Sequence, residues 1–183
     1  MKKAMITFGL VLIIISGASA QDVKFGAGVF GGMNIPIVQQ DQAAGSAFGV
    51  RARLALKPFL VIEPNLMLGK WGKPGEIDGY DLGIDGSKVT SYGVDVALGG
   101  APGVVGFKPV VFVGAGIYSV KNDDTGYDNS KLGFDGGLGF LIGATPFLDI
   151  DIRGTLMIAP QEETSKKAAI ITGGLTYYFG AGN

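Results

Sequence analysis

Chemistry needs groups that move protons, hold metals or attack bonds, and this chain of 183 residues carries a narrow choice of them. It has no His and no Cys. That removes the commonest general base and metal ligand, along with thiolate nucleophiles, thiolate metal sites and disulfides. What remains is ionic: Lys24, the pair Arg51 and Arg53, then Glu63, Asp95 and Asp135, and the run Asp149, Asp151 and Arg153. Spacings of two put such groups on one face of a β-strand. Enclosed charges of both signs can act as a catalytic carboxylate pair, as a constriction that selects ions, or as a plug whose balanced charges fill a space. Similar numbers of each sign favour the plug. If a hairpin turns about Pro58, Arg53 lies across from Glu63 at ion-pair distance. Removing both partners is then predicted to recover part of the stability lost by removing Arg53 alone. Hydrolysis and acyl transfer of the Ser–His type lack their base here, so no enzyme and no cofactor are expected.

Two other patterns carry less. Residues 26–31 fit the dinucleotide fingerprint G-x-G-x-x-G, but that fingerprint works only where a strand gives way to a helix. Here the alternation runs on to Asn34. Acidic residues gather at Glu76, Asp78, Asp81 and Asp85, and again at Asp123, Asp124 and Asp128. Oxygen ligands can bind Ca²⁺, yet neither group has the spacing of a helix–loop–helix calcium site. Solvated loops, or loops that bridge lipid phosphates through divalent ions, are the expectation. A net charge of −1 gives no reason to expect nucleic acid.

The elements that must position these groups are strands, because apolar residues recur at period two almost everywhere. The outward sets are Phe25, Ala27, Val29 and Met33; Phe48, Val50, Ala52 and Leu54; Leu60, Ile62, Leu66 and Leu68; and Tyr92, Val94, Val96 and Leu98. They continue with Leu132, Phe134, Leu138 and Phe140, then Leu148, Ile150, Ile152 and Leu156, then Ile171, Leu175, Tyr177 and Phe179. One strand near residues 110–120 is apolar on both faces. Matching its glycines to the inward glycines elsewhere turns Val111, Val113, Ala115 and Ile117 outward. Segments of about 10 to 12 residues suit tilted strands that cross a bilayer. Links at 57–58 and 145–146 are tight and 100–108 is longer, whereas 36–46, 72–87, 122–130 and 159–167 are long and polar.

Charge and glycine separate a membrane barrel from a soluble one. The faces opposite the apolar sets carry many glycines and few lysines, which suits a cramped interior better than open water. The outward sets hold no charge in their central portions, where Arg or Lys costs about 2–4 kcal/mol. Aromatics crowd the strand ends: Phe25, Phe59, Phe147, Tyr177 and Phe179 at one, and Phe48, Tyr92 and Trp71 at the other. Lys2 and Lys3, an apolar run to Ile15 and Ala18-Ser19-Ala20 have the anatomy of a cleaved signal peptide over residues 1–20. Residues 21–183 then form the mature domain.

The closing strand reads Leu175-x-Tyr177-x-Phe179, with Gly31-Gly32-Met33-Asn34 and Ile62-Glu63-Pro64-Asn65-Leu66 upstream. On these segments the chain resembles the small outer-membrane β-barrel families, namely the OmpA-like transmembrane domain and the OmpX-like barrels. The resemblance implies an all-β, eight-stranded antiparallel up-and-down transmembrane β-barrel in the cell outer membrane. It implies outer-membrane lipid as its surroundings, and a barrel assembly machinery that reads Leu175, Tyr177 and Phe179 during insertion. The implied role is structural or surface-interactive, with the lumen plugged and the loop partners unspecified. The alternatives are a narrow, porin-like passive channel and a soluble periplasmic barrel holding an apolar ligand.

Overall fold

The computed structural model describes residues 23–37, 42–73, 85–160 and 165–179. The expected signal segment lies outside them. Eight strands follow in chain order: β1 (Lys24–Pro36), β2 (Gly45–Lys57), β3 (Leu60–Lys70), β4 (Lys88–Gly99), β5 (Gly106–Asn122), β6 (Tyr127–Thr145), β7 (Leu148–Ala159) and β8 (Lys166–Phe179). Each pairs antiparallel with the next, and β8 pairs back onto β1 from Phe25↔Phe179 to Pro36↔Ala168, which closes the barrel. Closure leaves no unpaired edge.

The two faces are sorted as the alternation predicts, β5 included. Val113 is 64% exposed and Ile152 60%, while Arg53 is fully buried and Glu63 is 1% exposed. An apolar exterior around a charged interior reverses the arrangement of a water-soluble barrel and is what hydrocarbon surroundings require. Inside, glycines make room for rings. A Cβ on Gly26 would meet the Tyr178 ring at 2.7 Å, one on Gly49 the Phe30 ring at 2.5 Å, and one on Gly137 the Phe112 ring at 2.8 Å. Each of these rings fills the gap left by the glycine paired with it on the next strand.

Three features depart from expectation. The link expected over residues 122–130 shrinks to a four-residue turn at 123–126, because β5 and β6 run to 17 and 19 residues. A span needs about 9–11, so this hairpin runs on past the apolar belt: its outer face turns to the exposed Lys121, Asp128 and Ser130, while Val120 and Asn122 stay buried on the inner face. The link at 100–108 ends earlier too, since β5 begins at Gly106 and takes Lys108 into the wall. Trp71 does not join a lipid-facing girdle: it is 1% exposed, and its Nε1 donates to Asn34 Oδ1 at 2.9 Å inside the loop end of the barrel. The Ca²⁺ cluster at Glu76, Asp78 and Asp81 lies outside the described residues. Asp85 forms ion pairs with Lys70 and Lys73 at 3.2 and 3.7 Å.

Candidate functional site

The lumen is filled in layers. At the loop end, Trp71, Met67, Val89, Val120, Met157 and Ile170 make an apolar cluster; near the end that carries the termini, Val61, Val110, Phe112 and Leu141 make another. Between and below them sit the charges that the strand periodicity turns inward.

Glu63 is the hub. Arg53 Nε reaches its Oε1 at 2.6 Å from the neighbouring strand β2. From β7, across the lumen, Arg153 donates Nη1 to Oε2 and Nη2 to Oε1, the latter at 3.2 Å. One carboxylate thus bridges guanidiniums from two walls, with charge-assisted bonds to both oxygens. Arg153 Nε also lies 3.2 Å from Asp151 Oδ1, and Arg51 Nη1 reaches that oxygen at 3.3 Å. Neither contact to Asp151 Oδ1 has good hydrogen-bond geometry, so they are ion pairs without the directional part. The guanidiniums also lie over rings, Arg51 on Phe30 at 4.4 Å and Arg153 on Phe112 at 5.4 Å. Such stacking adds attraction without another charge.

Toward the terminal end, Asp149 takes over as acceptor. Lys108 Nζ donates to its Oδ1 at 2.7 Å and the Tyr178 hydroxyl to its Oδ2 at 2.9 Å. Arg53 Nη1 lies 3.6 Å from that same Oδ2 and donates to the Tyr178 hydroxyl as well. Lys108 and Tyr178 are therefore full members that the sequence reading left out. For Lys108 the cue was available: inward parity on β5 runs from Phe112 through Val110 to Lys108.

The opposite flank is different. Asp95 on β4 and Asp135 on β6 both register against Gly114 of β5. A Cβ there would lie 2.2 Å from Asp95 Oδ1 and 2.9 Å from Asp135 Oδ1, so the carboxylates overhang one point. Neutral donors hold them. Asn65 Nδ2 donates to Asp95 at 3.0 Å, and the Tyr118 hydroxyl donates to Asp135. Among the described residues, no Lys or Arg forms an ion pair with either. Lys24 also stands apart: it is half-buried at the terminal rim, beside Gly103, and no ion pair joins it to a carboxylate among the described residues.

A cavity of about 60 Å³ lies in the middle, lined by Arg51, Glu63, Asn65, Asp95, Tyr118 and Asp135 among others. It has room for a few water molecules. Glu63 has both oxygens engaged by guanidiniums, so the two carboxylates that converge at this cavity are Asp95 and Asp135. Among the described residues no group of three or more acidic side chains is arranged to hold a metal.

On the lipid side of β8, Leu175, Tyr177 and Phe179 point outward, about half exposed. Phe179 stacks on Phe25 at 5.4 Å across the β1–β8 seam, and Tyr177 meets Phe147 at 6.4 Å.

The sequence profile of the family described as outer membrane protein beta-barrel domain matches residues 6–179. No curated protein matches the chain. Among solved structures, the barrel is similar to Neisserial surface protein A, with a TM-score of 0.68 at 16% identity over 85% of this chain and 97% of that one. It is also similar to the N-terminal β-barrel domain of Pseudomonas aeruginosa OprF, with a TM-score of 0.56 at 14% identity over 86% of this chain and 100% of that one. A third is Ail, the attachment invasion locus protein of Yersinia pestis, with a TM-score of 0.51 at 13% identity over 86% and 97%. At these identities the likeness is one of fold.

Proposed function

The chain belongs to the outer-membrane β-barrel family, and from that premise we propose that it is a non-conducting barrel that supports the outer membrane and presents its loop end to the exterior. The observation that carries this reading is Glu63, clamped by Arg53 and Arg153 from two walls between apolar clusters at either end. An ion crossing the lumen has to break charge-assisted bonds in a low-dielectric interior, where they are strong, and then pass two apolar layers. Barrel families place short turns and both termini in the periplasm and longer loops outside, so the exposed acidic and lysine-rich rim becomes the outer surface. The same reading gives outer-membrane lipid as the surroundings. It assigns Leu175, Tyr177 and Phe179 on the closing strand as the segment that a barrel assembly machinery engages.

Planar-bilayer recording on the refolded protein tests the proposal. A quiet membrane at moderate salt is the expected result. Reproducible ohmic steps that scale with salt would favour the narrow channel instead.

A further inference from the structure

The nine residues from Gly99 to Phe107 contain no charged or polar side chain, although they join β4 to β5 at the end where a turn in water should be polar. At the other end of the barrel, the β5–β6 turn reads Asp123-Asp124-Thr125-Gly126.

The turn at 100–105 does not hang free. A Cβ on Gly100 would lie 3.1 Å from Arg53 Nη2 and 3.2 Å from Leu141 Cδ1, and one on Gly103 would lie 2.8 Å from Lys24 Nζ and 3.7 Å from the Pro146 carbonyl. The segment therefore leaves β4, passes beneath the lumen mouth against β2 and β6, and reaches β1 and the β6–β7 turn. Left-handed φ values at Gly99, Gly100, Gly103 and Gly106 (92°, 64°, 76° and 114°) permit this fold-back. Gly100 and Pro102 are buried. The Gly100 carbonyl accepts from Arg53 Nη2 at 3.4 Å, and the Ala101 carbonyl accepts from Lys108 Nζ at 3.0 Å.

The remaining side chains stay uncovered: Val104 is 51% exposed, Val105 60% and Phe107 66%. Phe107 stacks on Phe140 at 4.8 Å and pairs with Ile142, both on the lipid-facing wall. The uncovered edge is thus continuous with the hydrocarbon-facing surface of β5 and β6.

We propose that this turn is a membrane-anchored stopper, closing the lumen mouth with its buried side and seating Val104, Val105 and Phe107 among the acyl chains of the adjacent leaflet. Irregular backbone survives at membrane depth only where its polar groups are bonded within the protein, and Arg53 and Lys108 do this for the Gly100 and Ala101 carbonyls on the buried side of the turn. The occupant is phospholipid hydrocarbon, and the inference rests on the outer-membrane reading above.

The chain has no Cys, so single cysteines can carry spin labels in phospholipid vesicles. Val105→Cys is the test, with Val104→Cys as a second variant. Val113→Cys on the belt and Thr125→Cys on the far turn are the references. Relaxation by oxygen reports hydrocarbon, and relaxation by a water-soluble nickel chelate reports water. The expected result is oxygen-dominated relaxation at 105, 104 and 113 and nickel-dominated relaxation at 125. Nickel dominance at 105 and 104 with oxygen dominance at 113 overturns the anchor, and leaves the turn facing water or a periplasmic protein. Nickel dominance at 113 overturns the membrane reading itself, and the anchor with it.

Discussion

Two flanks of the same lumen treat their carboxylates in opposite ways. On the β2–β3–β7 side, Glu63, Asp149 and Asp151 each lie against cationic side chains. On the β4–β5–β6 side, Asp95 and Asp135 converge over Gly114 with Asn65 and Tyr118 as neutral donors. All five are inward positions of ordinary strands, so inwardness alone does not say what a charge contributes. The partner does. A carboxylate that neutralises two cations is costly to delete, whereas one that crowds another carboxylate is not.

The largest effect is expected at the hub. Glu63→Ala strands Arg53 and Arg153 together and should lower unfolding stability by about 3–5 kcal/mol, as for other broken buried pairs, measured by urea titration of the barrel in vesicles. Arg53→Ala leaves Glu63 held by Arg153 and should cost less, about 1.5–3 kcal/mol for lost charged hydrogen bonds. The recovery expected of a lone Arg53–Glu63 pair no longer follows, since Arg153 shares the carboxylate: adding Glu63→Ala to Arg53→Ala should destabilise further, because Arg153 loses its bidentate acceptor. Recovery in that double variant would reduce the hub to a simple pair.

Gly114→Ala comes next. Its methyl would sit 2.2 Å from one carboxylate oxygen and 2.9 Å from the other. Forcing them aside should cost about 1–3 kcal/mol, in the range of other overpacked interiors, read in the same titration. Asp95→Asn should go the other way. It keeps an acceptor for Asn65 and removes one of two like charges, so the urea midpoint should hold steady or rise. A fall as large as that of Glu63→Ala would erase the contrast between the flanks.

The smallest effect belongs to the rim outside the membrane. A hydrogen bond from Lys88 and the nearby charges of Lys88 and Lys121 hold the exposed Asp123 carboxyl below its ordinary value of 3.8. A depressed carboxylate stabilises the folded form above its unfolded pKa and loses that contribution as pH falls through the folded value. Acidification below about pH 4 should therefore free a spin label at position 125. Asp123→Asn should free it at neutral pH without moving the barrel's unfolding midpoint, because solvent screens such pairs.

The wall was legible because hydrocarbon outside and a crowded lumen inside force a period of two on every strand. That placed Arg53 beside Glu63 and turned Val111 and Val113 outward. Distance across the lumen was not legible: Arg153 and Glu63 are 90 residues apart, and no register rule links β7 to β3. Lys108 shares the inward parity of Phe112 and Val110, but the apolar turn before it blurs where β5 begins. Trp71 follows strand parity rather than the aromatic girdle: Leu66, Leu68 and Lys70 face outward, so the next residue faces in. The β5–β6 hairpin lost its pattern where the outer face turns polar at Lys121, Asp128 and Ser130 while Val120 still faces in.

Trp71 is also the only tryptophan in the chain, which makes it the most direct probe of an enclosed, filled lumen. In vesicles of phospholipid with brominated acyl chains, and separately with iodide in the buffer, its fluorescence should be quenched by neither. Quenching by bromine would put the indole on the lipid face, and quenching by iodide would open the loop end to water; either result contradicts the sealed barrel.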